Sequence, residues 1–232
     1  MTSSRLPGKV LLPLGNATVL DQVVNRAREF SSQVVVCTSD DQSDDPIAHL
    51  CKANNTVCVR GSLTDVFSRF RSTLADPRVS RATWFARITA DCPLLSPSLA
   101  RLVIARAHSG LDYIAPTPEQ LPLGISLELV RTATFEAIDP NNLDAPQREH
   151  VTPVFYENPN RFRCRWIDAP SQFAYPKLRL TLDYPEDYEL LKQLFRDPRV
   201  TTRSAIARLL KSPNLAVQNR HCVQRNARSP TR

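Results

Sequence analysis

The sequence has no apolar run approaching the ~20 residues that a helix needs to cross a bilayer. Its first residues, Met1-Thr2-Ser3-Ser4-Arg5-Leu6-Pro7-Gly8-Lys9, hold a proline and a glycine where a secretory leader needs an unbroken apolar core. The expectation is a protein that works without a membrane, in the cytoplasm. The six cysteines (Cys37, Cys51, Cys58, Cys92, Cys164, Cys222) form no C-x-x-C pair and have no histidine at ligand spacing. That pattern argues against a zinc site or a disulfide framework and for reduced thiols buried as small hydrophobes. Only five glycines are present, so turns fall to proline, asparagine and aspartate. The G-x-x-x-x-G-K-[ST] frame is missing, which excludes a Walker A phosphate loop. Internal repeats are missing too.

What is present in excess is positive charge, 30 Lys+Arg against 23 Asp+Glu for a net of +7. The excess is local. Residues 196–232 hold nine basic residues and one acid, Asp197, whereas the body before them is nearly neutral. The sequence therefore divides into a globular body, 1–195, and a basic C-terminal extension, 196–232, expected to be partly disordered. A basicity confined to one end does not make a nucleic-acid-binding protein, and none is expected as a partner.

Along the body, short apolar runs alternate with amphipathic stretches. Val19, Leu20, Val23, Val24, Ala27 and Phe30 share one helical face, and Gln33 to Thr38 reads as a buried strand. The rhythm continues with a helix from Ile47 to Ala53 and a strand at Val57-Cys58-Val59. Thr64 is placed to cap a helix carrying Val66, Phe67, Phe70 and Leu74, before a strand from Thr83 to Thr89. Pro97 opens a helix with Leu99, Leu102, Val103 and Ala107, and Asp112 to Ala115 is another strand. This order predicts an α/β fold, a mainly parallel sheet with helices on both faces. Residues 116–168 break the rhythm with Pro-rich loops and a strand at Leu127 to Val130, and read as an insertion covering one side of the sheet. Leu178 to Leu182 resumes the strand pattern, and Pro185 opens a helix with Tyr188, Leu191, Leu194 and Phe195.

Four segments could carry chemistry. Ser3, Ser4, Arg5 and Lys9 set two hydroxyls, a guanidinium and an ammonium around a Pro-Gly bend, either a grip for a triphosphate or a solvated basic segment. In Arg87-Ile88-Thr89-Ala90-Asp91-Cys92-Pro93, Asp91 ends a strand, where open α/β sheets bind ligands. It is placed either to hold a hard cation or to cap the next helix. Asp183, in Arg179-Leu180-Thr181-Leu182-Asp183-Tyr184-Pro185, is placed to supply a second carboxylate. Glu186 and Asp187 fall in the first helical turn and complement the helix dipole. Arg60-Gly61 passes from strand to helix through a glycine that lets backbone approach a ligand, or is a plain turn. Two aspartates at strand ends beside a cationic loop outline metal-assisted phosphoryl or nucleotidyl transfer.

Together the segments SSRLPGKVL, VVVCTSDDQSDDPI, VRGSLTDVFSRF, ARITADCPLL, DYIAP, LPLGISLELV, REHVTPVFYENP and LRLTLDYPEDYELL resemble, in order, the cytidylyltransferase family that includes the spore coat polysaccharide biosynthesis protein F group. Its relatives are the CMP-sialic acid and CMP-ketodeoxyoctonate synthetases. The resemblance implies a Rossmann-like nucleotide-diphospho-sugar transferase fold and a reaction joining CTP to a sugar or sugar acid, with release of pyrophosphate, for surface polysaccharide. It implies phosphates held by Arg5 and Lys9 with Ser3, Ser4, Arg60, Gly61 and Arg87 nearby, and Mg²⁺ on Asp91 and Asp183. Arg148, Glu149 and His150 are implied near the acceptor, with no base role assigned to His150. A homodimer is an open expectation.

One departure from the family stands out. The family begins with an apolar strand ahead of the SSRLPGK segment, and here Met1 stands where that strand should end. The expectation is a sheet with two unpaired inner edges, stabilised markedly by about ten preceding residues. The alternative functions are accordingly an inactive remnant acting as a binding partner, or a family member using another nucleotide.

Overall fold

The computed structural model describes residues 5–222; Ser3, Ser4 and the last part of the basic extension, 223–232, lie outside the described residues. A short hairpin, β1 (Pro13–Leu14) with β2 (Ala17–Thr18), leads into α1 (Val19–Arg28). Thr18 and Asp21 form a reciprocal cap on α1, each side chain accepting the other's backbone N–H at 3.1 Å. The helix buries Val19, Leu20, Val23, Val24 and Ala27, the face predicted from spacing. Next come β3 (Val35–Ser39), α2 (Asp45–Ala53), β4 (Val57–Gly61) and α3 (Val66–Ala75). The cap of α3 is Asp65, not Thr64, because the Asp65 carboxylate reaches the Ser68 N–H at 2.8 Å.

β5 (Trp84–Arg87), α4 (Pro97–Ile104) and β6 (Tyr113–Pro116) follow, then β7 (Glu128–Arg131), α5 (Thr132–Glu136), α6 (Ala145–His150), α7 (Pro153–Tyr156) and β8 (Cys164–Ile167). The described chain closes with α8 (Pro185–Leu194), α9 (Thr202–Lys211) and α10 (Pro213–Ala216).

The main sheet has the order β5-β7-β6-β8. β5, β6 and β8 run in one direction, and β7 is inserted between β5 and β6 antiparallel to both. Residues 116–168 are therefore more than a cover, since they supply two strands to the sheet. Successive side chains of a strand face opposite ways. Tyr113 and Val130 accordingly join a core with Phe67, Phe135 and Phe155, while Ile114 and Leu129 join another with Ala27, Leu95, Ala100 and Val103. Helices thus cover both faces. β3 and β4 form a separate parallel pair. Among the described residues, β3 pairs only with β4 and β5 only with β7, and the four residues of β5 are all half-buried.

Two expectations fail on tertiary grounds. Residues 178–182 form no ladder strand: among the described residues their only bridge is Leu123 with Arg179. Leu180 N–H donates to Leu123 O at 2.8 Å and Leu182 N–H to Asp91 O at 2.9 Å, so two different segments share the backbone bonds. Nor are residues 196–222 a loose extension. Val200, Ala205, Ile206, Leu209 and Leu215 are buried with Leu190, Leu191 and Leu194 of α8, while Arg203 and Arg208 stay on the solvent side. No helix among the described residues is long and apolar enough to cross a membrane.

Gly124 makes the contact between residues 123 and 180 possible. Its φ is +95°, and a Cβ there would sit 2.6 Å from Thr181 N and 2.8 Å from the Leu180 carbonyl carbon. Backbone cannot yield as a side-chain tip does. Gly124→Ala should lower stability by about 2–4 kcal/mol in chemical denaturation; a loss below about 0.5 kcal/mol would show that this crossing readily shifts.

Candidate active site

The Asp91 and Asp183 carboxylates meet because their segments are bonded to each other. Besides Leu182 N–H, the Thr181 hydroxyl also donates to Asp91 O, at 3.2 Å. Into the space between them comes Lys9, from a single 3-10 turn, Lys9–Leu11, entered through Gly8 at φ 68°. Lys9 Nζ lies 2.6 Å from Asp91 Oδ2 and 2.8 Å from Asp183 Oδ1. Arg5 Nη2 donates to the same Asp183 oxygen at 3.1 Å, and its guanidinium lies 4.9 Å above the Tyr184 ring.

Behind this front row is a buried second one. Arg179 Nη2 donates to Asp183 Oδ2 at 2.8 Å and reaches Asp187 through Nε at 2.8 Å and Nη2 at 3.0 Å. Asp187 is fully buried. It also accepts the backbone N–H groups of Asp183 and Tyr184 and the Asn219 amide. Sequence alone assigns Asp187 to the helix dipole and nothing to Arg179 or Asn219. Asp187 does cap α8, but its main task is to hold Arg179, which in turn orients Asp183.

The cluster holds three cations, Arg5, Lys9 and Arg179, and three carboxylates, Asp91, Asp183 and Asp187. Burial alone would lower the Lys9 pKa, but the Asp91 and Asp183 carboxylates outweigh it and hold it above the ordinary lysine value. Burial likewise pushes Asp183 up, while Lys9 and Arg179 more than compensate and leave it below the usual carboxylate range. A depressed carboxylate stabilises the fold above its unfolded pKa of about 3.9 and loses that contribution as pH falls through the folded value. The melting temperature should therefore fall on acidification below about pH 4, and less steeply in Asp183→Asn. Parallel profiles for the two proteins would remove Asp183 from the acid limb.

The structure does not bring every predicted residue to this cluster. Arg87 is paired with Glu128 at 2.7 Å, and Glu128 also accepts the Tyr113 hydroxyl and the Thr152 hydroxyl, each at 2.7 Å. Arg60 is spent on Asp45 at 2.6 Å and on the Ser39 and Asp41 carbonyls, each at 2.8 Å, fastening β3 to α2. Gly61 ends β4 with its Cα face against the Arg69 side chain. Arg148 bonds Asp65 at 2.8 Å and the Pro140 carbonyl at 2.6 Å, tying α6 to the α3 cap. In this structure these three arginines pair with carboxylates outside the Lys9 cluster.

Glu149 is exposed and His150 half-buried at the end of α6. The following Val151 is buried with φ 71°, a conformation costly for a β-branched residue. No sequence pattern signals that strained turn.

The geometry suits a divalent ion. Two carboxylate oxygens from separate segments converge on a single cationic atom, the donor type a hard cation uses. The neighbouring ammonium and guanidinium would turn to an anion brought with it.

Comparisons with known proteins place the chain among nucleotide-using enzymes. The profile of the cytidylyltransferase family matches residues 1–224. The spore coat polysaccharide biosynthesis protein SpsF of Bacillus subtilis is 33% identical over 232 residues, 94% of each chain. The solved structure of a cytidylyltransferase from Leptospira borgpetersenii serovar Hardjo-bovis superimposes with a TM-score of 0.83 at 27% identity, covering 93% of this chain and 92% of that one. CMP:2-keto-3-deoxy-manno-octonic acid synthetase, solved with CTP, shares the fold at a TM-score of 0.60 and 15% identity, over 84% of this chain and 95% of that one.

Proposed function

Because the chain belongs to the cytidylyltransferase family, we propose that it activates a sugar or sugar acid with CTP, releasing pyrophosphate, for the assembly of a surface polysaccharide. The observation that carries this reading is the convergence of Lys9 on Asp91 and Asp183, with Arg5 beside them. The cluster is charge-balanced before any ligand arrives. A nucleoside triphosphate with its metal brings both signs at once, so each internal ion pair is exchanged for an external one and no charge is left buried alone.

In the reaction, an acceptor oxygen bonds to the α-phosphorus and the bond from that phosphorus to the α–β bridging oxygen breaks. The electron pair leaves with pyrophosphate, and the acceptor's proton, where it has one, passes to solvent. No covalent enzyme intermediate is required, so the protein's task is positioning and charge neutralisation. Lys9 and Arg5 hold the phosphates, Lys9 as a point charge and Arg5 as a fork steadied on Tyr184. Mg²⁺ would be held by Asp91 and Asp183 and would supply further neutralisation of phosphate charge. Arg179 and Asp187 keep Asp183 aimed. Arg148, Glu149 and His150 are the acceptor-side candidates, Arg148 being held by Asp65.

That, among the described residues, β3 pairs only with β4 and β5 only with β7 favours a second reading, a family member that folds but does not turn over. A thermal melt with Mg²⁺ and each of CTP, UTP, GTP and ATP separates the two. A ligand bound only by the folded state stabilises it by RT ln(1 + [L]/Kd), about 2.7 kcal/mol at a hundredfold excess. A shift with CTP alone is the expected result. A shift with another triphosphate would reassign the nucleotide, and a cooperative melt with no shift would favour the inactive reading.

A further inference from the structure

Cysteine and histidine spacing along the sequence argues against a zinc site, but the fold joins donors that lie far apart in the chain. Glu186 stands in the first turn of α8, and His221 and Cys222 follow α10 at the end of the described residues. One carboxylate oxygen, one imidazole nitrogen and the thiol sulfur of these residues all lie within 4.8 Å of one another. No other three such side chains among the described residues converge as closely.

The segment that carries two of these donors is anchored. The Asn219 side chain, only 2% exposed, donates to the Arg179 carbonyl at 3.1 Å and to Asp187 Oδ1 at 2.8 Å. The Cys222 N–H then donates to the Asn219 carbonyl at 3.1 Å. Cys222 is thus fastened beside α8 by the same Asp187 that holds Arg179. Its surroundings are negative. Burial first, and then the Asp187 and Glu186 carboxylates, raise the Cys222 thiol above its ordinary pKa. A divalent cation would reverse that balance, because a coordinating thiol gives up its proton to the metal's charge. His221 Nε2 lies 3.6 Å from Glu186 Oε1, too far for a hydrogen bond, so the imidazole is not locked onto the carboxylate.

The donor types select the ion. Magnesium takes oxygen ligands, whereas one thiolate, one imidazole and one carboxylate suit zinc. Ligand atoms around a tetrahedral zinc stand about 3.3–3.8 Å apart, given bonds of about 2.0–2.3 Å. The three donors here need to close by only about 1 Å, which side-chain rotation supplies at a solvent-facing site.

We propose that Glu186, His221 and Cys222 form a zinc site, separate from the Asp91–Asp183 pair, with a fourth position open to water. Bound zinc pins residues 221–222 to the first turn of α8. It thereby steadies Asn219 on Asp187, in the row that orients Asp183.

The metal alone is the probe. Full-length chain, stripped with a chelator and kept reduced with a phosphine, is titrated with Co²⁺ and then with Zn²⁺. One equivalent of Co²⁺ should produce a thiolate-to-cobalt charge-transfer band in the near ultraviolet, and Zn²⁺ should abolish it while excess Mg²⁺ does not. Cys222→Ser should lose the band, and His221→Ala and Glu186→Gln should each bind zinc at least about tenfold more weakly. All three variants should keep the wild-type melting temperature without metal, since they leave Asn219 and Asp187 intact. Asp91→Asn should retain the band. A band that persists in Cys222→Ser would assign the metal to other thiols and overturn the proposal. Its loss in Asp91→Asn would place the metal at the nucleotide cluster and overturn it too. Zinc binding weaker than about 10 μM would leave only an adventitious surface cluster. Zinc should also raise the wild-type melting temperature and leave that of Cys222→Ser unchanged; equal shifts in the two proteins would overturn the pinning of residues 221–222.

Discussion

Asp187→Ala should cost about 3–5 kcal/mol of stability, the largest stability effect expected of the changes considered in this protein. Asp187 is fully buried and accepts five hydrogen bonds, two from Arg179, one each from the Asp183 and Tyr184 N–H groups, and one from Asn219. Alanine would strand the Arg179 guanidinium, itself only 8% exposed, with Asp183 as its one remaining carboxylate among the described residues. An uncompensated buried charge costs more than the pair contributes when intact, which is why truncating one partner is so damaging. Asp187→Asn keeps an acceptor for the backbone N–H groups and should lose less. Denaturant unfolding with an unchanged m-value gives the number directly. A loss below about 1 kcal/mol would mean that Arg179 finds water or another partner and that the second row is dispensable.

The second large effect is on the reaction. Asp91→Asn keeps the shape of the side chain and its capacity to accept a hydrogen bond from Lys9, but it removes one of the two charges facing the ammonium. If Asp91 and Asp183 hold the metal together, pyrophosphate release should fall by about a thousandfold, equivalent to ~4 kcal/mol of transition-state stabilisation. The fold should survive, since the Asp91 carbonyl keeps its bonds from Leu182 N–H and the Thr181 hydroxyl and asparagine still accepts from Lys9. Activity within about threefold of wild type, less than ~1 kcal/mol, would take Asp91 out of the reaction. The pair of variants also separates two kinds of role, because Asp187 acts through Arg179 on Asp183 while Asp91 faces the ligand.

The residue types of the site are legible in the sequence because they sit in short segments with strong local signals. Gly8 after Pro7 announces the bend that presents Lys9, and Pro93 and Pro185 follow closely on Asp91 and Asp183. Partner choice is not legible. Arg60, Arg87 and Arg148 look as suited to phosphate as Arg5 does, yet in the fold they pair away from the Asp91–Asp183 cluster while Arg5 pairs within it. Arg60 meets Asp45, Arg87 meets Glu128 and Arg148 meets Asp65. The same limit explains the C-terminal segment. Thr202, Ala205, Ile206 and Leu209 have helical spacing, but the surrounding positive charge disguises them as a solvated tail. In the fold, Leu190, Leu191 and Leu194 of α8 cover their apolar face.

By itself the sequence determined most of the helices, the strands β3 to β6 and the positions of the two aspartates, because periodicity, caps and prolines act over a few residues. Only the tertiary structure decided that β7 enters the sheet antiparallel, that residues 178–182 divide their bonds between two segments, and which carboxylate each arginine pairs with. Those outcomes depend on pairing between residues far apart in the chain, where burial of a charge or of a backbone N–H is acceptable only beside a particular partner.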